Sequence, residues 1–193
     1  MFDSQKAWLS FFINEYTQEN DIVFDPFAGF GTTLIVAERM GRNPYGIEYN
    51  QTRFRYIRSK LKKPEKVILG DSRQLLSYGL PAFDFSLTSP PYMSKNDQEN
   101  PFTAYTTSGE GYQGYLNNLR TIYQKMAQLM APDATIIIEA ANIKKRGDIT
   151  TLAWDIAREI SQVLKFEGEM IVNWDTYGGG YDHSYCLIYS KPT

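Results

Sequence analysis

The sequence predicts an α/β fold, a doubly wound and mostly parallel seven-stranded sheet with one antiparallel strand near the carboxyl terminus. Three observations carry this. Short apolar runs alternate with helix-spaced segments along the whole chain. The first run ends in a glycine turn that opens a helix. The last two runs are joined by a connection too short for a right-handed crossover, so one of them must run antiparallel.

In order, residues 5–18 have helical spacing, and DIVFDPF (21–27) is the first strand. Residues 32–40 read as a helix stopped by Gly41, and NPYGIEYN (43–50) carries the second strand. A helix over 51–62 ends before Pro64, KVILGD (66–71) is the third strand, and a short helix spans 72–78. FDFSLTS (83–89) alternates like a buried strand and runs into Pro90 and Pro91. The polar segment 93–110 is a loop, 112–130 a helix, ATIIIEAANI (134–143) the fifth strand and 149–164 a further helix. GEMIVNWDTY (168–177) and SYCLIYSK (184–191) close the fold around GGGYDH. A chain of 193 residues with no repeat or linker is expected to form a single domain.

Composition narrows the function classes. A net charge of −2 excludes a uniformly basic nucleic-acid binder, although local patches count for more than totals. One cysteine, Cys186, excludes an intramolecular disulfide, and one cysteine with one histidine excludes a zinc cluster, so no metal is expected. The first twenty residues lack the pattern of a signal peptide, and no apolar run reaches membrane-spanning length, so a cytoplasmic location is expected.

The first candidate site is DPFAGFGTT (25–33). Gly29 and Gly31 let the backbone turn tightly and let a ligand approach it. In such a sheet, ligands bind beyond the carboxyl ends of the strands. Glu48, at the end of the second strand, is placed to accept from both hydroxyls of a ribose, and Asp71 ends the third strand facing the same crevice. The third glycine of the dinucleotide fingerprint is missing, because Leu34 stands there, and no P-loop lysine is present. Asp25 at the mouth repels a pyrophosphate and suits the ammonium of S-adenosylmethionine (SAM).

The second candidate site is Ser89-Pro90-Pro91-Tyr92. Neither proline can donate to a ladder, so the strand stops and leaves acceptors free. Carbonyl oxygens and the Ser89 hydroxyl match the two N–H donors of a planar amino group. Tyr92 can stack on a flat base and offer its ring face to a sulfonium.

These two motifs resemble the amino-methyltransferases of nucleic acids, which methylate cytosine N4 or adenine N6. The cofactor signature is similar to Asp25-Pro26-Phe27, Gly29 and Gly31-Thr32-Thr33, and the catalytic tetrapeptide is similar to Ser89-Pro90-Pro91-Tyr92. RNPYGIEYN resembles the family's second strand with Glu48 as ribose acid, and LGDSR its third, where Asp71 meets the adenine of SAM. HSYCLIYSK resembles the last core strand, and residues 4–20 fall where the family has a helix closing the methionine pocket. The resemblance implies a Rossmann-like SAM methyltransferase fold and direct transfer of a methyl group from SAM to cytosine N4 in DNA, the serine form being typical of cytosine-N4 enzymes. Methylation of ribosomal or transfer RNA, adenine-N6 transfer, and a non-catalytic subunit of the same fold are the alternatives. Here the glycine motif precedes the proline motif, the reverse of many serine-type enzymes.

A separate target-recognition domain is not expected within these 193 residues. The loop at 93–111, with Asn96, Tyr105 and Tyr112 in or beside it, is the expected target contact, and a specificity partner or homodimer is expected to supply what it cannot read. His183, at the start of the last strand, and Lys144 and Lys145, with Arg146, after the fifth, are candidate substrate contacts. The segment 51–66 holds seven basic residues and one acid, a solvated face that could also catch phosphates.

Overall fold

A computed structural model describes residues 4–103, 110–145, 147–174 and 182–192. The described strands form a seven-stranded sheet in the order β3-β2-β1-β4-β5-β9-β8 and a separate two-stranded β6–β7 sheet. The strands are β1 Ile22–Asp25, β2 Asn43–Glu48, β3 Val67–Leu69, β4 Phe83–Thr88, β5 Met130–Ala140, β6 Ile143–Lys145, β7 Asp148–Thr150, β8 Lys165–Asn173 and β9 His183–Ser190. The helices are α1 Ser4–Tyr16, α2 Thr32–Arg39, α3 Gln51–Arg58, α4 Gly111–Leu129 and α5 Leu152–Ile160. The expected doubly wound sheet is present, with β1 parallel to β2 and to β4, and β2 parallel to β3. The pair β8–β9 is antiparallel, with an irregularity between Phe166 and Gly168.

The chain divides into two compact units, one of residues 1–88 and 128–137, the other of residues 89–127 and 138–193. In the first, β1 and β4 are short and largely buried on both faces, as central parallel strands require. Val23, Phe24, Phe83, Phe85 and Leu87 are buried, with α1 adding Leu9, Phe12 and Ile13. Leu34 of α2 and Ile57 of α3 share a cluster with Ala28, Leu61 and Val67. Gly46 is needed in β2, since a Cβ there would come within 2.6 Å of Leu34. The order of strands reverses between β1 and β4, which is where open sheets of this kind bind ligands.

In the second unit, α4 buries Tyr115, Leu116, Leu119, Ile122, Tyr123 and Met126, the spacing of a single helix stripe. On α5 the buried set is Leu152, Ala153, Ile156, Glu159 and Ile160. Arg120 joins the two helices, pairing with Glu159 at 3.0 Å.

Several boundaries differ from expectation. Residues 72–78 form tight 3-10 turns broken at Gln74, because Asp71 caps Arg73 N–H and pulls the chain out of α geometry. The helix over 51–62 stops at Arg58, followed by turn backbone. The helix over 149–164 begins only at Leu152, because Asp148–Thr150 pairs with Ile143–Lys145. Strand β5 begins at Met130, four residues before the expected start, and carries Pro132 in its first turn of exposed residues. Residues 104–109, Arg146 and most of the glycine hairpin (175–181) lie outside the described residues, and with them Tyr105.

Candidate active site

In the first unit the glycine turn is built around two buried acids. Gly29 and Gly31 take φ of 57° and 75°, in the left-handed region where a Cβ is costly. A Cβ on Gly31 would also meet Ile57 at 2.8 Å. Glu48, 6% exposed, accepts from Gly29 N–H at 2.8 Å through Oε2 and from Asn50 N–H at 2.7 Å through Oε1. Each oxygen keeps a lone pair for a further donor. The acid read from the sequence as a ribose acceptor is therefore also the brace that closes the glycine turn.

Asp25, 3% exposed, ends β1. Its Oδ1 accepts from Thr88 Oγ1 at 2.6 Å and from Phe27 N–H at 3.0 Å. Burial pushes its carboxyl up to about 6, while hydrogen bonds from Thr88, Phe27 and Thr33 pull the other way and Glu48 adds a small upward push. Such a carboxyl is ionised at neutral pH but poorly compensated, and a cationic group in contact with it would relieve that. Pro26 is buried, and its carbonyl accepts from Ser72 Oγ, which ties the end of β3 to the turn. Thr32 opens α2, and Thr33 is buried beneath the turn. Asp71 is not free: Arg73 pairs with it at 2.6 Å and holds both of its oxygens.

In the second unit Ser89 is exposed and Pro90 buried. The expectation of free carbonyls after the prolines needs a correction, because the Pro91 carbonyl accepts from Tyr115 Oη at 2.9 Å. Tyr115 is fully buried, stacked on Phe102 and Tyr112. Burial raises its phenol, so it remains protonated and a donor. Tyr92 is anchored through its hydroxyl, which accepts from Ala141 N–H at 2.9 Å and reaches Glu139 Oε2 at 3.4 Å. The ring is thereby held in one place, half-buried. Burial also pushes the Cys186 thiol up, which makes it a poor nucleophile.

The weaker candidates differ in what surrounds them. Lys145 pairs with Asp97 at 2.7 Å, and Lys95 N–H and Asn96 Nδ2 bond Thr150 and Asp148 at 3.1 and 2.8 Å. These contacts pin the start of the 93–111 loop to the β6–β7 hairpin. Tyr112 sits on α4 and donates to Asp155 at 3.0 Å. His183 lies 3.1 Å from Asp182 and 3.4 Å from the Tyr185 hydroxyl. Lys144 is exposed on β6. Thr88, Tyr115, Glu139 and Arg73 were missed from the sequence. Only Thr88 carried a signal, a hydroxyl ending a buried strand next to the proline motif.

Residues 6–59 match the family model for N6 and N4 methyltransferases described as DNA methylase. The Type II methyltransferase M2.LlaDCHI of Lactococcus lactis subsp. cremoris is 43% identical over 47 residues, 24% of this chain and 18% of that relative. The crystal structure of TrmN from Thermus thermophilus superposes with a TM-score of 0.69 at 15% identity, over 97% of this chain and 49% of that one. A methyltransferase of Streptococcus mutans, SMU.1697c in complex with SAH, gives 0.61 at 11% identity over 100% of both chains. This chain thus spans about half the length of TrmN, and its aligned segment less than a fifth of the curated relative. The fold is that of the Rossmann-like SAM-dependent methyltransferases, and over residues 6–59 the chain is similar to the amino-methyltransferase family.

Proposed function

We propose, from a methyltransferase fold whose first third matches the amino-methyltransferases, that the chain moves a methyl group from SAM to an exocyclic amino nitrogen in nucleic acid. Cytosine N4 in DNA is the assigned target. The observation that carries this is the seam between β1 and β4. Thr88, the residue before Ser89-Pro90-Pro91-Tyr92, is hydrogen-bonded to Asp25, the acid that opens the glycine turn. The serine form of the tetrapeptide favours cytosine N4 over adenine N6, and the DNA methylase description of the matched family favours DNA.

The donor set fits SAM. The Asp25 carboxylate suits the ammonium of its methionine part, and the spare lone pairs of Glu48 suit the ribose hydroxyls. The tight Gly29–Gly31 backbone allows close approach. When bound, SAM supplies a methyl group on a positively charged sulfur. The Ser89 hydroxyl and the Pro90 carbonyl accept from the amino N–H groups, draw the nitrogen out of conjugation with the ring and stabilise the charge that develops on it. SAM held there would supply the methyl for the new N–C bond, its sulfur keeping the electron pair of the broken C–S bond, and one amino proton would leave to solvent at exposed Ser89. The fixed Tyr92 ring holds the base, which must leave its stack to be reached.

Ser89→Ala and Tyr92→Ala test this together. Both should bind SAM as the unaltered chain does, while Ser89→Ala slows transfer by up to ~10²–10³ and Tyr92→Ala loses most of it. Full turnover in either variant would reduce the tetrapeptide to a structural turn.

A further inference from the structure

Phe30 is 61% exposed in the middle of the glycine turn, although the turn itself is fixed by Gly29, Gly31 and the Glu48 carboxylate. None of those contacts uses the Phe30 ring. The ring meets Tyr56 of α3 edge-on at 5.9 Å, and the Arg53 guanidinium lies over it at 5.3 Å. Tyr56 is 45% exposed and carries Lys60 over its own ring at 5.3 Å. Among the described residues none of Arg53, Arg55, Arg58, Lys60, Lys62 and Lys63 is ion-paired. A chain with a net charge of −2 thus concentrates unpaired cations along one helix and its end, with exposed aromatic rings among them.

Charge alone describes a solvated helix. Exposed rings do not serve solvation, and holding cations over them keeps the charged groups in fixed positions with their outer donors open. Cations that track phosphates, alternating with rings on which bases stack, are the two parts of a surface for single-stranded nucleic acid. Resting on the reading of the chain as a nucleic-acid methyltransferase, we propose that Phe30, Tyr56 and the cations held over their rings, Arg53 and Lys60, bind a single-stranded nucleic-acid segment. Its phosphates lie on Arg53 and Lys60, the two cations held over the paired rings, and an unstacked base lies on Phe30.

The test is equilibrium binding of the full chain, saturated with S-adenosylhomocysteine, to a labelled single-stranded oligonucleotide of roughly 20 nucleotides over about 50–300 mM salt. Arg53→Gln/Lys60→Gln should lower the slope of log affinity against log salt by about 1.4, each single-strand phosphate contact being worth about 0.7. Phe30→Ala should weaken binding about tenfold or more, and more for the single strand than for a duplex. Both variants should keep the unaltered affinity for S-adenosylhomocysteine. An unchanged slope and affinity in the variants, with the unaltered chain binding well, overturns the surface and leaves the methyltransferase reading standing. Loss of S-adenosylhomocysteine affinity in Phe30→Ala, with oligonucleotide binding intact, also overturns it and assigns the ring to the cofactor. A chain that binds S-adenosylhomocysteine but no oligonucleotide overturns the surface, and one that binds neither overturns both readings.

Discussion

Thr88 Oγ1 donates a 2.6 Å hydrogen bond to Asp25 Oδ1, joining the last residue of β4 to the last residue of β1 at the point where the strand order reverses. Each residue ends its strand on one of the two sequence motifs, so the bond couples the acid of the glycine turn to the residue that enters the proline turn.

The bond and the burial of Asp25 set a pH dependence. Its carboxyl is raised from 3.8 to about 6, chiefly by burial. Because the folded value exceeds the unfolded one, its contribution to stability without cofactor is fully present below about 4 and lost as pH rises through about 6, a change of about 3 kcal/mol at most. Affinity for SAM runs the opposite way, since only the ionised form attracts an ammonium. Titration calorimetry should show affinity falling as pH drops below about 6, and Asp25→Asn should bind weakly with no such step. Thr88→Val removes a donor to the carboxylate and should move the step to higher pH. A pH-independent affinity in the unaltered chain would remove Asp25 from the site.

Glu48→Ala should do two separable things. It leaves the N–H groups of Gly29 and Asn50 without their acceptor, at roughly 1.5–3 kcal/mol for a hydrogen bond to a charged group, and it removes the ribose acceptor. Thermal unfolding and calorimetry on one preparation should show a lower Tm and weaker SAM binding together. A normal Tm with weak binding would mean that the brace contributes little; a normal affinity would place the ribose elsewhere.

Tyr115→Phe deletes one oxygen and frees the Pro91 carbonyl. It should lower kcat about tenfold, with KM for SAM unchanged, because the phenol holds the proline turn and has no part in the glycine turn. Comparison with Tyr112→Phe, which loses a bond to Asp155, separates a local effect from general loosening of α4. Equal kcat in Tyr115→Phe and the unaltered chain would show that the turn holds its shape without the brace.

Much of this was legible in the sequence, and what was not has physical causes. Strands β1 and β4 show as largely apolar runs because they are buried on both faces, and the turns that end them use residues with few other purposes, Gly29, Gly31, Pro90 and Pro91. Helix α5 was read three residues too long at its start, because Ile149 and Thr150 fit a helical stripe as well as a strand, and only pairing with Ile143 and Lys144 decides between them. The length of Met130–Ala140 was obscured by Pro132, which reads as a break but sits at the exposed start of the strand. Asp71 looked available because nothing in LGDSR shows that Arg73 folds back onto it two residues on. Tyr115 occupies an ordinary core position of α4, and periodicity reports that the ring is buried without reporting where its hydroxyl goes.

The central claim is amino methylation from SAM, and the most direct measurement is the identity of the methylated nucleoside. The chain is incubated with labelled SAM and, separately, DNA, ribosomal RNA and transfer RNA, and each nucleic acid is digested to nucleosides and analysed by mass spectrometry. Label should appear in N4-methylcytosine from DNA, forming far more slowly with Ser89→Ala or Asp25→Asn. Label on a ring carbon, or none in any nucleic acid from a chain that binds SAM, would contradict it.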